Sequence, residues 1–258
     1  MRALVLAGGA AFVLSACQST PTSTGASSMA STSITASDPR LDTRSGFLTD
    51  YARLATVSGG DGIKCWRQPN VNWRSYDKIL ITRMRVTLKP GQIKSIDPTD
   101  LKALVDYFHN ALVTDLRPQW QIVDKPGPGV LVLRIALTDL TPTQIADSLI
   151  GTVAPYGFVA EIGSGAATGL PAGATPYLGE TGIEMQVRDG ASNAILAECE
   201  DTEVGRKYAA DLNASASGAA TAWVNGYLSS FSSWQYATDA FDKWAALTAR
   251  RLVALRAS

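Results

Sequence analysis

The chain has 258 residues, and its 23 basic and 23 acidic side chains give a formal net charge of zero at pH 7. Lysine and arginine form no cluster that could contact phosphates, so the composition argues against a nucleic-acid-binding protein. The single histidine and the widely separated cysteines supply no ligand spacing for a metal site. The sequence therefore predicts no nucleic-acid partner and no bound metal.

The first 17 residues have the pattern of a processing signal. Arg2 is followed by an apolar run, residues 3–14, that is too short to span a bilayer as a mature helix and is typical of a secretory signal. The run ends in Leu-Ser-Ala-Cys, which resembles the lipobox of bacterial lipoproteins. We expect residues 1–16 to be removed and Cys17 to carry acyl chains, with about 0.8 kcal/mol of membrane binding per buried CH₂. A secreted protein with a chance cysteine is the alternative.

The residues after Cys17 predict the membrane and the tether. Gln18 occupies the position at which an aspartate tends to mark retention in the inner membrane, so resemblance to lipoproteins favours the outer membrane. Residues 17–44 are rich in serine and threonine and almost lack large apolar side chains. Such a segment cannot offset its ordering entropy by burial, so we predict a disordered tether there, with a reach of roughly 30 Å. A single periplasmic domain would follow over residues 45–258.

Two cysteines remain after lipidation. An exported protein meets an oxidising compartment, in which a leftover pair tends to be bridged. Cys199 lies in a predicted strand and Cys65 precedes the first clear strand, so the two could meet across a sheet. We predict a disulfide between them, and two buried free thiols are the alternative.

Residues 45–73 predict an irregular lead-in to the first strand. The alternation from Asp77 to Leu88 then predicts a strand in which Arg83 and Arg85 point outward. The inward row would be Leu80, Thr82, Met84, Val86 and Leu88.

A helix is predicted from Asp97 to Arg117. Asp97 is an N-cap candidate, and Pro98 suits the first helical position. Pro118 ends the helix, because the residue before a proline avoids the helical region. The apolar stripe that would face the core is Leu101, Leu104, Val105, Phe108, Leu112 and Leu116.

The second half of the chain predicts more strands and a closing helix. A short strand at 120–124 would pair with a long neighbouring strand at 130–140, and residues 180–188 and 195–203 would form a hairpin. Residues 142–178 show no clear period and predict either a loose helix at the sheet edge or an apolar flap. After a polar loop, residues 234–257 predict a helix. The pattern as a whole predicts an α+β domain, with a mixed or antiparallel sheet and two amphipathic helices on one face.

Motifs along the chain carry a family resemblance. They are Ser45-Gly46-Phe47-Leu48, Asp50-Tyr51, Trp73 with residues 76–81, residues 107–112, residues 126–139, Trp234, Ala240-Phe241 and Trp244-Ala245. With these motifs the chain resembles the bacterial lipoprotein family catalogued as domain of unknown function 3313. The resemblance covers most of residues 45–256, but it fails over 142–176 and does not include Cys65 or Cys199. It implies an envelope lipoprotein without a known activity, so no catalytic residue follows from it.

Candidate catalytic residues and cofactor motifs are few. His109 falls at the margin of the apolar stripe, and we interpret it as a boundary residue with one polar edge toward water, with a general base as the alternative. No G-x-S-x-G motif is present for a serine triad. Gly163, Gly165 and Gly169 match a dinucleotide fingerprint only loosely, because the last spacing is one residue too long. We predict no catalytic residue and no cofactor.

Two clusters of side chains are ambiguous. Glu198 and Glu200 would share a strand face with Leu196, and this acidic run continues to Asp201 and Glu203. Such a run more often marks a solvated face than a pair of catalytic acids, and we predict a solvated face. The second cluster is either a core edge, which we favour, or a surface for a sugar or a partner. Its members are Trp223, Tyr227, Phe231, Trp234 and Tyr236.

These observations predict an outer-membrane lipoprotein that is not an enzyme. Its periplasm-facing domain would be an accessory or scaffold in an envelope assembly or transport system, with an envelope protein as partner. A binding module for glycan or lipid is the first alternative, and it would use residues 142–178 or the aromatic cluster at 223–236. A hydrolase is the second alternative.

Overall fold

A computed structural model of the chain describes residues 35–60, 62–89, 91–92, 96–144, 178–205 and 233–258. The predictions for the signal peptide, for Cys17 and for the tether as far as residue 34 lie outside the described residues. The predictions for residues 145–177, which contain Gly163, Gly165 and Gly169, also lie outside them. The same is true of residues 206–232, which contain three of the five clustered aromatic residues.

The described residues form nine strands and two long helices. They are β1 (Thr35–Ser37), β2 (Ala55–Thr56), β3 (Lys64–Arg67), β4 (Lys78–Ile81), β5 (Arg85–Val86), α1 (Pro98–Leu116), β6 (Gln121–Ile122), β7 (Val130–Thr141), β8 (Glu180–Asp189), β9 (Ile195–Gly205) and α2 (Gln235–Ala257). The sheet order is β2-β3-β9-β8-β7-β4-β6, while β1 also pairs with β9 and β5 with β7. Strands β7, β8 and β9 are antiparallel, whereas β4 and β5 run parallel to β7. A mixed sheet with two helices confirms the predicted α+β class.

Helix α1 forms where the sequence predicts it. The Asp97 side chain accepts a hydrogen bond from the Thr99 backbone N–H at 2.7 Å, and Pro98 occupies the first turn. Four members of the apolar stripe are fully buried, namely Leu104, Phe108, Leu112 and Leu116. His109 lies at the edge of this buried face and is half-buried, as predicted.

The two helices pack against each other on one face of the sheet. The rings of Phe108 and Phe241 stack with their centroids 4.7 Å apart, and Trp244 lies 6.1 Å from both rings. Strands β7 and β8 supply the opposite wall of this core through alternate apolar side chains: Leu131, Leu133, Ile135 and Leu137 on β7, and Ile183, Met185 and Val187 on β8. The closing helix was predicted correctly.

The predicted strand from 77 to 88 is interrupted, and part of its inward row was wrong. Residues 82–84 lie between β4 and β5, and this break shifts the alternation of the side chains. Ile79 and Ile81 are therefore buried in place of Leu80 and Thr82, while Met84 is buried as predicted. Arg83 and Arg85 are exposed, also as predicted.

The pairing predicted for the strands at 120–124 and 130–140 was wrong. Strand β4 lies between β6 and β7 and is parallel to both. The chain passes from β4 through β5 and α1 to β6, and α1 carries it back to the same end of the sheet, which is the usual geometry of a parallel connection. Sequence adjacency favoured a hairpin, but the parallel partner came from a more distant segment.

The first residues of the described chain also correct two boundaries. Thr35 to Ser37, assigned above to the tether, pair with β9, and the Asp38 backbone N–H donates to the Thr202 carbonyl at 2.8 Å. Backbone hydrogen bonds to a sheet edge order this polar segment, and composition does not reveal such bonds. The predicted irregular lead-in likewise contains β2 and β3, which extend the same edge.

Candidate functional site

The face of β8 and β9 away from the helices is lined by buried acidic and amide groups. We call Glu184, Gln186, Glu198 and Glu200 the glutamate face; its members are 0–3 % exposed. The prediction of a solvated acidic face was therefore wrong. A second layer of chain, residues 38–54, which we call the cover segment, lies over these side chains and excludes water from them.

Glu184 binds Ser45 and Tyr51 of the cover segment through both carboxylate oxygens. The Ser45 backbone N–H donates to Oε1 at 2.8 Å, and the Ser45 hydroxyl donates to Oε2 at 2.7 Å. The Tyr51 hydroxyl lies 3.0 Å from each oxygen. Burial and the nearby Glu184 carboxylate raise the pKa of Tyr51, which keeps this phenol a proton donor.

Glu198 makes a second set of contacts of the same kind. The Thr49 backbone N–H and hydroxyl donate to its two oxygens, each at 2.9 Å, and the Gln186 amide donates at 2.6 Å. Arg53 adds an ion pair at 2.6 Å, and its guanidinium lies 3.4 Å above the centre of the Trp66 ring. Burial alone raises the pKa of Glu198, but the bonds from Arg53, Thr49 and Gln186 outweigh it, so the pKa is below its ordinary value.

Glu200 is the last member of the glutamate face, and its buried charge is less well paired than those of Glu184 and Glu198. Lys64 lies 3.6 Å from its Oε1 but only 2.7 Å from Asp42. Oε2 of Glu200 is buried without a hydrogen-bond partner. Burial and the neighbouring Asp42 carboxylate raise the pKa of Glu200. The two acids therefore share one ammonium group.

The acidic run continues on the helix side of the same strand. Asp201 accepts hydrogen bonds from Ser37 at 2.5 Å and from the Trp244 indole at 2.8 Å, and Glu203 pairs with Lys243 at 2.6 Å. Burial raises the pKa of both carboxyls. These two acids fasten β1 and α2 to β9, so all four acids of the run are buried, two on each face of the sheet.

Cys65 and Cys199 face each other on β3 and β9. They are direct partners in the antiparallel register, and their Sγ atoms are 2.12 Å apart in a disulfide. The bridge joins residues 134 positions apart and ties the edge of the sheet to its centre.

We expect thiol titration under denaturing, non-reducing conditions to find neither cysteine free. Replacing the pair by serine should lower the free energy of unfolding by about 2–4 kcal/mol, because the bridge restricts a long loop of the unfolded chain. Denaturant unfolding of the oxidised, reduced and doubly substituted proteins measures this loss. Reductant should not destabilise the Cys65→Ser/Cys199→Ser protein further, and two free thiols per chain would contradict the bridge.

A cleft opens beside the glutamate face, at the break between β4 and β5. It has a volume of about 240 Å³. It is lined by Phe47, Thr82, Arg83, Arg85, Arg134 and Ile135, and we call it the arginine cleft. The Cζ atoms of Arg134 and Arg85 lie 5.3 Å and 5.9 Å from the centre of the Phe47 ring. Arg134 donates to the Gln186 amide oxygen at 2.9 Å, and Arg188 donates to the same oxygen.

Sequence reasoning missed both the glutamate face and the arginine cleft. Outward positions for Arg83, Arg85 and Arg188 follow from strand alternation, and this was the available signal. Only the register, with Arg85 opposite Ala136 and Arg134 opposite Gln186, brings the charges together. The sequence of the cover segment contains no pattern that predicts which face of the sheet it covers.

Other sequence candidates remain apart from these sites. Tyr236 is buried beside Leu178, whereas Trp234 donates from its indole to Asp100 at 3.0 Å and so joins α2 to α1. Within the described ranges, no three acidic, histidine or cysteine side chains are arranged to hold a metal ion. No helix in the same ranges is long and apolar enough to cross a membrane.

Comparison with known proteins identifies one family and two distantly similar solved structures. A family model described as "Protein of unknown function (DUF3313)" matches residues 43–227. The dodecamer of a PelC variant from Paraburkholderia phytofirmans is 13 % identical, with a TM-score of 0.32, over 67 % of this chain and 98 % of that chain. A second PelC dodecamer from the same organism is 12 % identical, with a TM-score of 0.31, over 66 % and 98 %. No curated protein matches.

Proposed function

The chain belongs to the DUF3313 family of proteins of unknown function, and on this premise we propose that it is a lipid-anchored, non-enzymatic protein of the outer membrane. Acyl chains on Cys17 hold it in the membrane, and its domain faces the periplasm. There it serves as an accessory or scaffold of an envelope assembly or transport system, in contact with an envelope protein. The proposal assigns it no nucleic-acid partner.

One observation carries the non-enzymatic part of the proposal: the conspicuous acids are already engaged in holding the fold together. Glu184 and Glu198 each accept a backbone N–H and a hydroxyl from the cover segment. A general acid or base needs access to a substrate proton, and these carboxylates are covered by the protein's own chain. Their arrangement suits a mechanical role, that of fastening the N-terminal part of the domain to its central strands.

The same contacts suit a protein that is held by its N-terminal end. Residues 18–34 separate Cys17 from β1, the first strand of the described sheet. This spacing is shorter than the 17–44 predicted as a tether, because β1 already pairs with β9. Tension on the anchor is then transferred to β9 through β1 and to β8 through Ser45.

The anchor is tested by metabolic labelling with a palmitate analogue. We expect wild type to incorporate the label and to remain in the membrane fraction, and a Cys17→Ser protein to lose both properties, because Cys17 is the proposed site of acylation. Cys65→Ser/Cys199→Ser is the matched control and should be labelled like wild type. Equal labelling and membrane retention of the Cys17→Ser protein would end the proposal.

The scaffold role is tested by co-purification after mild detergent extraction. A protein partner in stoichiometric amount, retained through a second purification step, supports a scaffold. A bound lipid or sugar in mass spectra, without a protein partner, would favour the binding module instead. Hydrolytic activity that disappears in a His109→Ala variant would contradict the non-enzymatic assignment.

A further inference from the structure

The arginine cleft concentrates positive charge that the described part of the chain does not neutralise. Arg83, Arg85, Arg134 and Arg188 form no ion pair with any carboxylate of the described residues. The Arg134 and Arg188 guanidiniums share one neutral acceptor, the amide oxygen of Gln186. The guanidiniums of Arg134 and Arg188 are half-buried, and half-buried cations are ordinarily paired, so this arrangement suits a site whose counter-ion comes from beyond the described residues.

The surroundings hold these guanidiniums in place. The amide nitrogen of Gln186 donates to the Phe47 carbonyl at 3.1 Å and to Glu198, so its oxygen must face the arginines. The Phe47 ring lies beside Arg85 and Arg134 as a cation–π partner. Burial and the positive charges of Arg188 and Arg85 lower the pKa of Arg134. The Arg134 guanidinium is therefore repelled by both of these neighbours.

We infer that the arginine cleft binds a tetrahedral oxyanion of the phosphate class. Guanidiniums approach from β5, β7 and the segment between β4 and β5, and several oxygens are needed to satisfy donors in different directions. One planar carboxylate is satisfied by a single guanidinium fork, whereas a phosphate can bridge several. A cleft of about 240 Å³ is smaller than typical sites for drug-sized ligands, so it suits a phosphate with at most a short attached group.

This inference does not depend on the anchor or on a scaffold role. The same phosphate chemistry is available from a free ion and from a lipid headgroup. The experiment therefore uses two probes, inorganic phosphate and glycerophosphoglycerol, each titrated by calorimetry into the full-length protein in neutral detergent at constant ionic strength. We expect one saturable site per chain for at least one probe.

Two double variants test whether the binding site is the arginine cleft. Arg83→Gln/Arg85→Gln should weaken binding at least tenfold, because it removes two of the lining cations, both at exposed positions. Arg67→Gln/Arg117→Gln removes the same charge from exposed positions elsewhere and should bind like wild type. Unchanged melting temperatures establish that both proteins are folded.

Each result decides the question. Binding of inorganic phosphate that is lost in the cleft variant identifies a site for the free ion, and binding of glycerophosphoglycerol alone identifies a site for a lipid headgroup. Failure of both probes to bind wild type overturns the inference. Equal weakening in the cleft variant and in the control also overturns it, because the effect is then one of net charge.

Discussion

A Phe108→Ala variant is expected to lose about 3–5 kcal/mol of unfolding free energy. Phe108 is 0 % exposed, stacks on Phe241 and contacts Trp244, so its removal leaves a cavity where α1 and α2 meet. Neither helix can move into this space without disturbing its packing on the sheet. Urea or guanidinium unfolding, followed by tryptophan fluorescence, measures the loss.

Lys102→Ala on the same helix is the matched control for this substitution. Lys102 is exposed and, among the described residues, pairs only with Asp106 across one helical turn, so its loss should change stability by about 0.5 kcal/mol or less. A Phe108→Ala protein as stable as the Lys102→Ala protein would show that the α1–α2 contact is not the centre of the core.

Glu198→Ala should be comparably damaging, at about 3–5 kcal/mol near neutral pH. The substitution leaves Arg53 without its counter-ion, and it leaves donors of Thr49 and Gln186 without an acceptor under the cover segment. Burying such unpaired groups costs more than the net gain of one hydrogen bond. Chemical unfolding measures the loss, and hydrogen exchange should show the largest loss of protection in residues 38–54.

The loss should depend on pH, with a sign set by the lowered pKa of Glu198. A carboxyl whose pKa is lower in the folded state stabilises the fold above its unfolded pKa, and this contribution disappears as the pH falls through the folded value. The difference between wild type and Glu198→Ala should therefore shrink as the solution is made more acidic than the ordinary glutamate pKa. Asp124→Ala, at an exposed position, is the control and should show neither effect. A constant difference across this range would contradict an ionised, hydrogen-bonded Glu198.

Several elements were predictable because their causes are local. The capping residue, the first-turn proline and the apolar stripe of α1 all lie within one short segment. The alternation of Ile183, Met185 and Val187 likewise predicts the core side of β8, and the structure buries them there. Family membership was also predictable, and the family model matches residues 43–227, which include the motifs from Ser45 to Asp139 but not those of the closing helix.

The site was not predictable because it depends on what covers the second face of the sheet. Alternation shows that Glu184, Gln186 and Glu198 point away from the helices. In a domain of one sheet and one helix layer, side chains on that face of the sheet are exposed to water. The cover segment turns the same positions into an interior. Nothing in residues 38–54 considered alone specifies that Ser45 meets Glu184 and that Thr49 meets Glu198.

The amino-acid sequence by itself determined the α+β class, the two helices, the family and the expectation of a lipid anchor, since each follows from composition or from spacing within a short window. Tertiary structure alone decided the pairing of β4 with β7, the burial of the acidic run and the grouping of Arg83, Arg85 and Arg134 around one cleft. These features depend on strand register and on contacts between residues about 50 to 150 positions apart. Local periodicity specifies the direction of a side chain, but only the packed chain specifies what it meets.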